Sequence, residues 1–130
     1  MERHVTLLSI LVGLWGAMAI LLGASMLLLA AGAFALTIDP EAEAVGLAAG
    51  ITAGAFALIG SFSLLWGAVH IWAAILLKQR RPFGRVLTLG LSVPNLLVLP
   101  FGTALGGYAL WILLTNEARH LFEPTTATVH

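Results

Sequence analysis

Three polar side chains lie within otherwise apolar stretches and could do chemistry: His70, Thr88 and Asn95. A polar or ionisable group in such a setting is a functional candidate, because burying it is costly. A single imidazole with no carboxylate beside it in the sequence cannot close a metal site and makes only a short proton relay. Two interpretations of His70 therefore stay open. Either it is structural and satisfied by a neighbouring hydroxyl or amide, for which the candidates are Ser63, Thr88, Ser92 and Asn95, or it is a proton or ligand site that a second chain completes.

Two prolines interrupt the segment that carries Asn95. Pro94 precedes it directly, and Pro100 opens a turn signal with Phe101 and Gly102. A proline removes a backbone N–H and leaves a carbonyl that water or a polar side chain must satisfy, and such unwound segments can also coordinate ions. The prolines thus fit a pore or substrate path as well as an ordinary kink and turn.

The established catalytic patterns are absent from the sequence. It has no phosphate-binding glycine loop, no His-Glu-x-x-His, no Gly-x-Ser-x-Gly and no cysteine. Its apolar stretches contain no carboxylate, which argues against a proton-coupled antiporter. The 130 residues leave no room for a separate catalytic domain. We expect no enzymatic activity, no metal and no cofactor.

Two long uncharged runs must position these residues. Neither Val5–Ile38 nor Ala44–Leu77 contains Asp, Glu, Lys or Arg, and each run has 34 residues. About 20 apolar residues suffice to cross a hydrocarbon core of roughly 30 Å. The composition agrees, since 60% of the residues are hydrophobic, 9% are charged and the mean hydropathy is +1.02. The sequence therefore predicts an integral membrane protein.

Boundary signals divide the chain into helices. Asp39 can cap the second helix, Pro40 suits its first position, and Glu41 and Glu43 lie at the positive end of its dipole. Pro100 divides the uncharged stretch 86–116 into a hairpin; a single tilted span is the alternative. We predict an all-α, four-helix membrane bundle in one domain, residues 1–122, with a solvated tail, 123–130. Its helices cover 5–36, 40–77, 82–99 and 102–122, and the first two extend beyond the lipid core on their outer side.

The basic residues indicate orientation. Short loops rich in Lys and Arg face the cytoplasm, so both termini are predicted to be cytoplasmic. Trp72 and Trp111 would anchor helices near this inner interface. Four basic residues from the end of the second helix to the start of the third are expected to contact anionic lipid headgroups. They are Lys78, Arg80, Arg81 and Arg85.

Small residues recur every three or four positions along the second helix. Inside lipid, helices associate through close backbone approach, so this seam marks a helix contact. Its partner is either the first helix of the same chain, which carries a matching stripe, or another subunit. The seam consists of Gly46, Gly50, Ala53, Gly54, Ala57, Gly60 and Gly67.

The carboxy-terminal third resembles a known group of proteins. The residues that carry the resemblance are Arg81-Pro82-Phe83-Gly84-Arg85, Pro100 to Gly106, Tyr108, Leu110, Trp111, Glu117 to Arg119 and Leu121-Phe122. This pattern resembles small four-span bacterial membrane proteins of unassigned function. The resemblance implies a multi-pass protein of the bacterial inner membrane, and it implies no activity.

Two functional hypotheses follow. In the first, the protein is a non-enzymatic membrane component that self-associates, or serves as an accessory subunit, through its glycine seam. In the second, several copies form a passive or tension-gated pore lined by His70, Thr88 and Asn95. The expected partners are the lipid bilayer and copies of this chain or another membrane protein, and not nucleic acid.

Overall fold

The computed structural model of the chain describes residues 2–38, 43–97 and 101–123. Of these residues 94% are helical and none belongs to a strand, which confirms the all-α prediction. The helices are α1 (Glu2–Ala35), α2 (Glu43–Lys78), α3 (Pro82–Asn95), α4 (Phe101–Leu114) and α5 (Asn116–Phe122), with a 3₁₀ turn at Leu36–Ile38. The predicted cap at Asp39 and Pro40, the turn at Pro100 and the tail from Pro124 onwards lie outside the described residues.

The helices differ greatly in length. α1 has 34 residues and α2 has 36, and both are long and apolar enough to cross a membrane, judged by length and composition alone. α3 and α4 have 14 residues each. At about 1.5 Å per residue the shorter helices are only ~21 Å long. The expected contrast between two long helices and two shorter ones is therefore present.

Two helix boundaries differ from the sequence prediction. The helix predicted over 82–99 ends at Asn95, one residue after Pro94. The end is closed by tight turn bonds, in which the Leu97 N–H donates to the Pro94 carbonyl, 3.1 Å away. The Thr103 hydroxyl of α4 donates to the Leu96 carbonyl at 2.7 Å. These bonds satisfy carbonyls that a longer helix would have used.

The helix predicted over 102–122 is interrupted at Thr115. This residue has an extended backbone, with φ −68° and ψ 137°, and it separates α4 from α5. Its hydroxyl donates to the Trp111 carbonyl at 2.7 Å. A side chain that bonds its own backbone competes with helix continuation, and Thr does so readily. Asn116 and Glu117 then begin a new helix in positions that suit polar and acidic residues.

The chain divides into two compact units. The terminal unit comprises Met1–Leu14 and His70–His130, and the hairpin unit comprises Trp15–Val69. In the terminal unit, one apolar cluster joins the start of α1, the end of α2, α4 and α5. Its buried members are Val5, Leu8, Val12, Ala73, Ala74, Leu77, Ala109, Ile112, Leu113, Ala118 and Phe122.

A compact turn connects α2 to α3 in the terminal unit. The Arg81 N–H donates to the Leu76 carbonyl and the Arg80 N–H to the Leu77 carbonyl, both at 3.0 Å. Arg80 has φ 54°, so this is a Schellman motif with an arginine where glycine is usual. Pro82 then occupies the start of α3. The turn fixes where the basic residues lie relative to both helices.

Glycines in the terminal unit allow α3 to approach its neighbours closely. A Cβ placed at Gly84 would lie 2.7 Å from the Leu76 carbonyl carbon, and one at Gly106 would lie 2.8 Å from the Ser92 carbonyl oxygen. Since backbone atoms are the obstacles, these distances cannot be relieved by a side-chain rotation. α3 is therefore held against α2 at its start and against α4 near its end.

Adjacent glycines in α4 provide a matched test of this packing. Gly107 has nothing within 4 Å of its added Cβ, whereas Gly106 meets the Ser92 carbonyl. Alanine improves helix propensity equally at both sites, so only the overpacking differs. We expect Gly106→Ala to be less stable than Gly107→Ala by about 1–3 kcal/mol in thermal unfolding of the detergent-solubilised protein. Equal stabilities would contradict the close approach.

Candidate functional site

The candidate site is a buried pair formed by His70 of α2 and Asn95 of α3. Asn95 Nδ2 donates to His70 Nε2 at 2.9 Å. The side chains are almost completely enclosed, with 0% of His70 and 3% of Asn95 exposed. Because Nε2 accepts, the neutral imidazole carries its proton on Nδ1. The hydrogen bond links α2 to α3 through two residues that are 25 positions apart in the sequence.

The rest of the site lies along one face of α3. Gly84, Thr88, Ser92 and Asn95 recur every three or four residues and are all buried. The opposite face carries Val86 and Val93, which are 65% and 61% exposed. This polarity is the reverse of a water-soluble amphipathic helix, whose apolar stripe faces the core. The sequence folds this way because glycine and small polar residues occupy the inner positions.

Two oxygen atoms in the site lack a hydrogen-bond partner among the described residues. They are Thr88 Oγ1 and Asn95 Oδ1. Ser92 is satisfied within α3, because its hydroxyl donates to the Thr88 carbonyl at 2.7 Å. A buried oxygen atom without a hydrogen-bond donor lowers the stability of the fold by about 1–3 kcal/mol. A hydroxyl and an amide oxygen on one helix face are groups to which a water molecule or a polar ligand could donate.

The pair can form hydrogen bonds, and the imidazole of His70 can bind a proton. If His70 became an imidazolium, Nε2 would carry a hydrogen that faces the hydrogens of Asn95 Nδ2. The amide would then have to turn over and present Oδ1 as an acceptor. Protonation is thus coupled to a reorientation inside a packed core. Asn95, the hydrogen-bond partner of His70, is one of the four partners that the sequence suggested.

The predicted headgroup residues have different local contacts in the terminal unit. Arg80 forms an ion pair with Glu2 at 2.9 Å. Arg85 is half-buried, and its Nε donates to the Leu113 carbonyl at the end of α4 at 2.8 Å. Lys78 and Arg81 are exposed. Arg85 therefore has a role that the sequence did not indicate: it supplies a donor to a carbonyl that helix α4 leaves unpaired.

In the hairpin unit, two seam glycines pack against α1. A Cβ at Gly60 would lie 2.9 Å from the Gly23 carbonyl oxygen, and a Cβ at Gly67 would lie 2.5 Å from that of Gly16. Gly16 of α1 faces Gly67 of α2, and Gly23 faces Gly60. The two helices are therefore antiparallel. The backbones come this close because each site lacks a side chain. These glycines occupy the intramolecular contact.

The remaining seam residues are placed differently. Gly46 and Gly50 face Thr37, with added Cβ atoms 3.9 Å and 3.7 Å from it, and therefore have room for a methyl group. Gly54 is exposed and has nothing within 4 Å. Ala53 is buried and Ala57 is half-buried. The seam thus contains residues that face α1 and one glycine that is open.

Three residues make contacts in the site that the sequence did not indicate. Gly84 and Gly106 bring α3 close to α2 and α4, and Arg85 bonds the end of α4. The four-residue spacing of Gly102 and Gly106 is a small-xxx-small pattern that could have indicated the α4 contact. No comparable signal marks Gly84 or the carbonyl partner of Arg85.

Comparison with known proteins returns no match: no protein-family model, no curated protein and no solved structure is significantly similar to this chain.

A double-mutant cycle tests the energetic contribution of the buried pair. Asn95→Leu removes the donor to His70, and His70→Phe leaves the Asn95 amide without its acceptor, so each single variant should be less stable. The double variant contains neither polar group, so it should regain part of the stability that the single variants lose. We expect a coupling free energy of about 0.6–1.7 kcal/mol from thermal or denaturant unfolding in detergent.

The control for this cycle is Val93→Leu, since Val93 lies on the exposed face of the same helix. Combining it with His70→Phe should give additive changes in the free energy of unfolding. A His70–Asn95 cycle that is also additive would refute the coupling.

Proposed function

We propose that this protein is a non-enzymatic, multi-pass component of the bacterial inner membrane that acts by associating with copies of itself or with a partner membrane protein. The observation that supports membrane residence best is the polarity of α3, which buries its polar face and exposes its apolar one. Large apolar side chains are also exposed along the long helices, where Leu28 and Leu58 are both 75% exposed. Such a surface favours lipid over water as its surroundings.

Contacts within the terminal unit support a four-span topology with both termini cytoplasmic. The Glu2–Arg80 ion pair joins the start of α1 to the α2–α3 turn. The Arg85 bond to the Leu113 carbonyl joins the start of α3 to the end of α4. These four helix ends, with their basic residues, therefore lie together, as the positive-inside rule requires of a cytoplasmic side. Trp72 and Trp111 are exposed, as interfacial anchors would be.

Association is favoured over a pore because of where the polar groups lie. His70, Thr88 and Asn95 are no more than 3% exposed within a single chain. A channel between several copies would therefore not be lined by them. Gly54, by contrast, is an open small residue on a helix surface of large apolar side chains. Close backbone approach by a second helix is possible there, whereas Gly60 and Gly67 already face α1.

Substitution at Gly54 tests the association. Gly54→Leu should weaken self-association about tenfold, the equivalent of ~1.4 kcal/mol, because the new side chain separates the backbones. The measurement is the oligomer distribution against protein concentration by light scattering in detergent. Gly90→Leu is the matched control, since Gly90 is also exposed and has nothing within 4 Å. An oligomer distribution that Gly54→Leu leaves unchanged would contradict a contact at this glycine.

Single-cysteine labelling tests the topology, and the natural chain contains no cysteine to confuse it. Gln79→Cys and Glu117→Cys should react with a membrane-impermeant maleimide only after the cytoplasmic side is opened. Ile38→Cys should react from the outside of intact spheroplasts. Gln79 and Glu117 lie on either side of α3 and α4. Labelling of these two from opposite sides would establish a single span in this region and overturn the four-span proposal.

A further inference from the structure

An open cleft of about 250 Å³ lies in the terminal unit between the start of α3 and α5. It is lined by Pro82, Arg85, Val86, Arg119, Phe122 and Glu123. Two guanidinium groups therefore share a small space with one carboxylate and three apolar side chains. Arg119 was not among the residues for which the sequence predicted a headgroup role.

Arg85 is a fixed cation in this cleft. Its Nε donates to the Leu113 carbonyl at 2.8 Å, which restricts the position of the guanidinium. A guanidinium carries five N–H donors, so four remain after this bond. Arg85 is also half-buried, and a cation with less water around it attracts an anion more strongly. A partly desolvated, preorganised arginine is well suited to a phosphate oxygen.

Glu123 is a displaceable occupant of the same space. Its Oε1 lies 3.6 Å from Arg119 Nε, beyond the 2.7–2.9 Å of a strong charge-assisted bond, and its Oε2 lies 3.4 Å from His120 Nδ1. The side chains of Arg119 and Glu123 are 62% and 53% exposed. Exposed pairs of this kind are weak. An external anion with more than one oxygen could therefore replace the carboxylate at Arg119.

The apolar part of the cleft indicates what kind of molecule carries the anionic group. Val86 is 65% exposed and Pro82 is exposed beside it, while Phe122 forms a buried wall. A phosphate alone gains nothing from these side chains. An anionic lipid carries a phosphate next to glycerol and acyl chains, so it could satisfy both arginines and cover the apolar surface.

We infer that this cleft binds the phosphate of an anionic glycerophospholipid between Arg85 and Arg119, and that Glu123 occupies the anion position when lipid is absent. The inference rests on the proposed membrane location and deepens it, because it replaces diffuse headgroup attraction with a defined site. Glu123 is then a competitor of the lipid.

The test is native mass spectrometry of the full chain in detergent with added phosphatidylglycerol, scored as occupancy of the first bound lipid. Arg119→Gln should weaken this binding about fivefold, since it removes a direct phosphate contact. Glu123→Gln should strengthen binding about two- to fivefold, because the competing carboxylate is gone. Both residues are exposed, so folding should be unchanged, which the thermal midpoint checks. Arg85 is not substituted, because it also bonds the end of α4.

Two control variants make the same charge changes outside the cleft. Arg81→Gln removes an exposed arginine and Glu117→Gln an exposed acid of α5, and neither lines the cleft. Each should change lipid occupancy much less than its counterpart. If Arg81→Gln weakens binding as much as Arg119→Gln, or Glu117→Gln strengthens it as much as Glu123→Gln, the attraction is diffuse and the defined site is refuted.

Further arms identify the source of the phosphate and separate this inference from the proposed function. Binding of phosphatidylcholine equal to that of phosphatidylglycerol, or saturation by inorganic phosphate that displaces the lipid, would overturn the lipid site. Flotation of each variant with liposomes reports membrane residence independently. A chain that does not float refutes the proposed function, whereas floating variants with equal lipid occupancy refute only the cleft.

Discussion

The terminal unit depends on one constraint: the polar groups on the buried face of α3 need partners on neighbouring helices, because the opposite face of this helix is apolar. α3 carries this constraint most clearly, since its polar residues are buried and its valines are exposed. This constraint accounts for the contacts that the polar groups make. Asn95 requires a polar group on another helix, and His70 provides one at 2.9 Å. The Leu113 carbonyl requires a donor at the end of α4, and Arg85 provides it. The positions of α2, α3 and α4 are thus fixed by polar contacts as well as by the apolar cluster that α2 and α4 share.

Small residues make these polar contacts possible. Gly84 and Gly106 bring the α3 backbone against its neighbours, and any side chain there would hold the polar partners apart. In the hairpin unit Gly23, Gly60 and Gly67 bring the backbones of α1 and α2 together in the same way. Packing by backbone proximity is what helices need when the hydrophobic effect no longer drives their association.

The features that the sequence predicted well depend on local signals. The long helices, the all-α class and the turn after Lys78 follow from uninterrupted apolar runs and from Pro82, a residue type that suits the first turn of a helix. Asn95 as a possible partner of His70 also followed, because few polar groups lie in apolar surroundings.

The sequence could not determine which seam glycines face α1. Gly54 and Gly60 are both glycines of α2, and which of them faces α1 depends on how the helix is rotated about its axis. The small residues of α2 are too numerous for the sequence to select one face.

The misplaced boundaries have a related cause. Apolar continuity suggested one helix across Thr115, but a single hydroxyl that bonds the Trp111 carbonyl ends α4 there. Similarly, α3 ends at Asn95 because its carbonyls find partners in a tight turn and in Thr103. Hydropathy reports where the chain prefers lipid, and it contains no information about which backbone groups have found alternative partners.

The reversed polarity of α3 also has a consequence for how the protein is made. A segment that contains Arg85, Ser92, Pro94 and Asn95 is a poor substrate for insertion into lipid by itself, since polar residues at a helix centre oppose partitioning. In a chain that enters the bilayer during synthesis, α2 emerges before α3 and brings His70 with it. The His70 imidazole is then already in the bilayer and can accept the hydrogen bond from Asn95 when α3 inserts. For a membrane-resident chain the order of the helices along the sequence is thus also an order of assembly, in which an early helix supplies the polar surface that admits a later one.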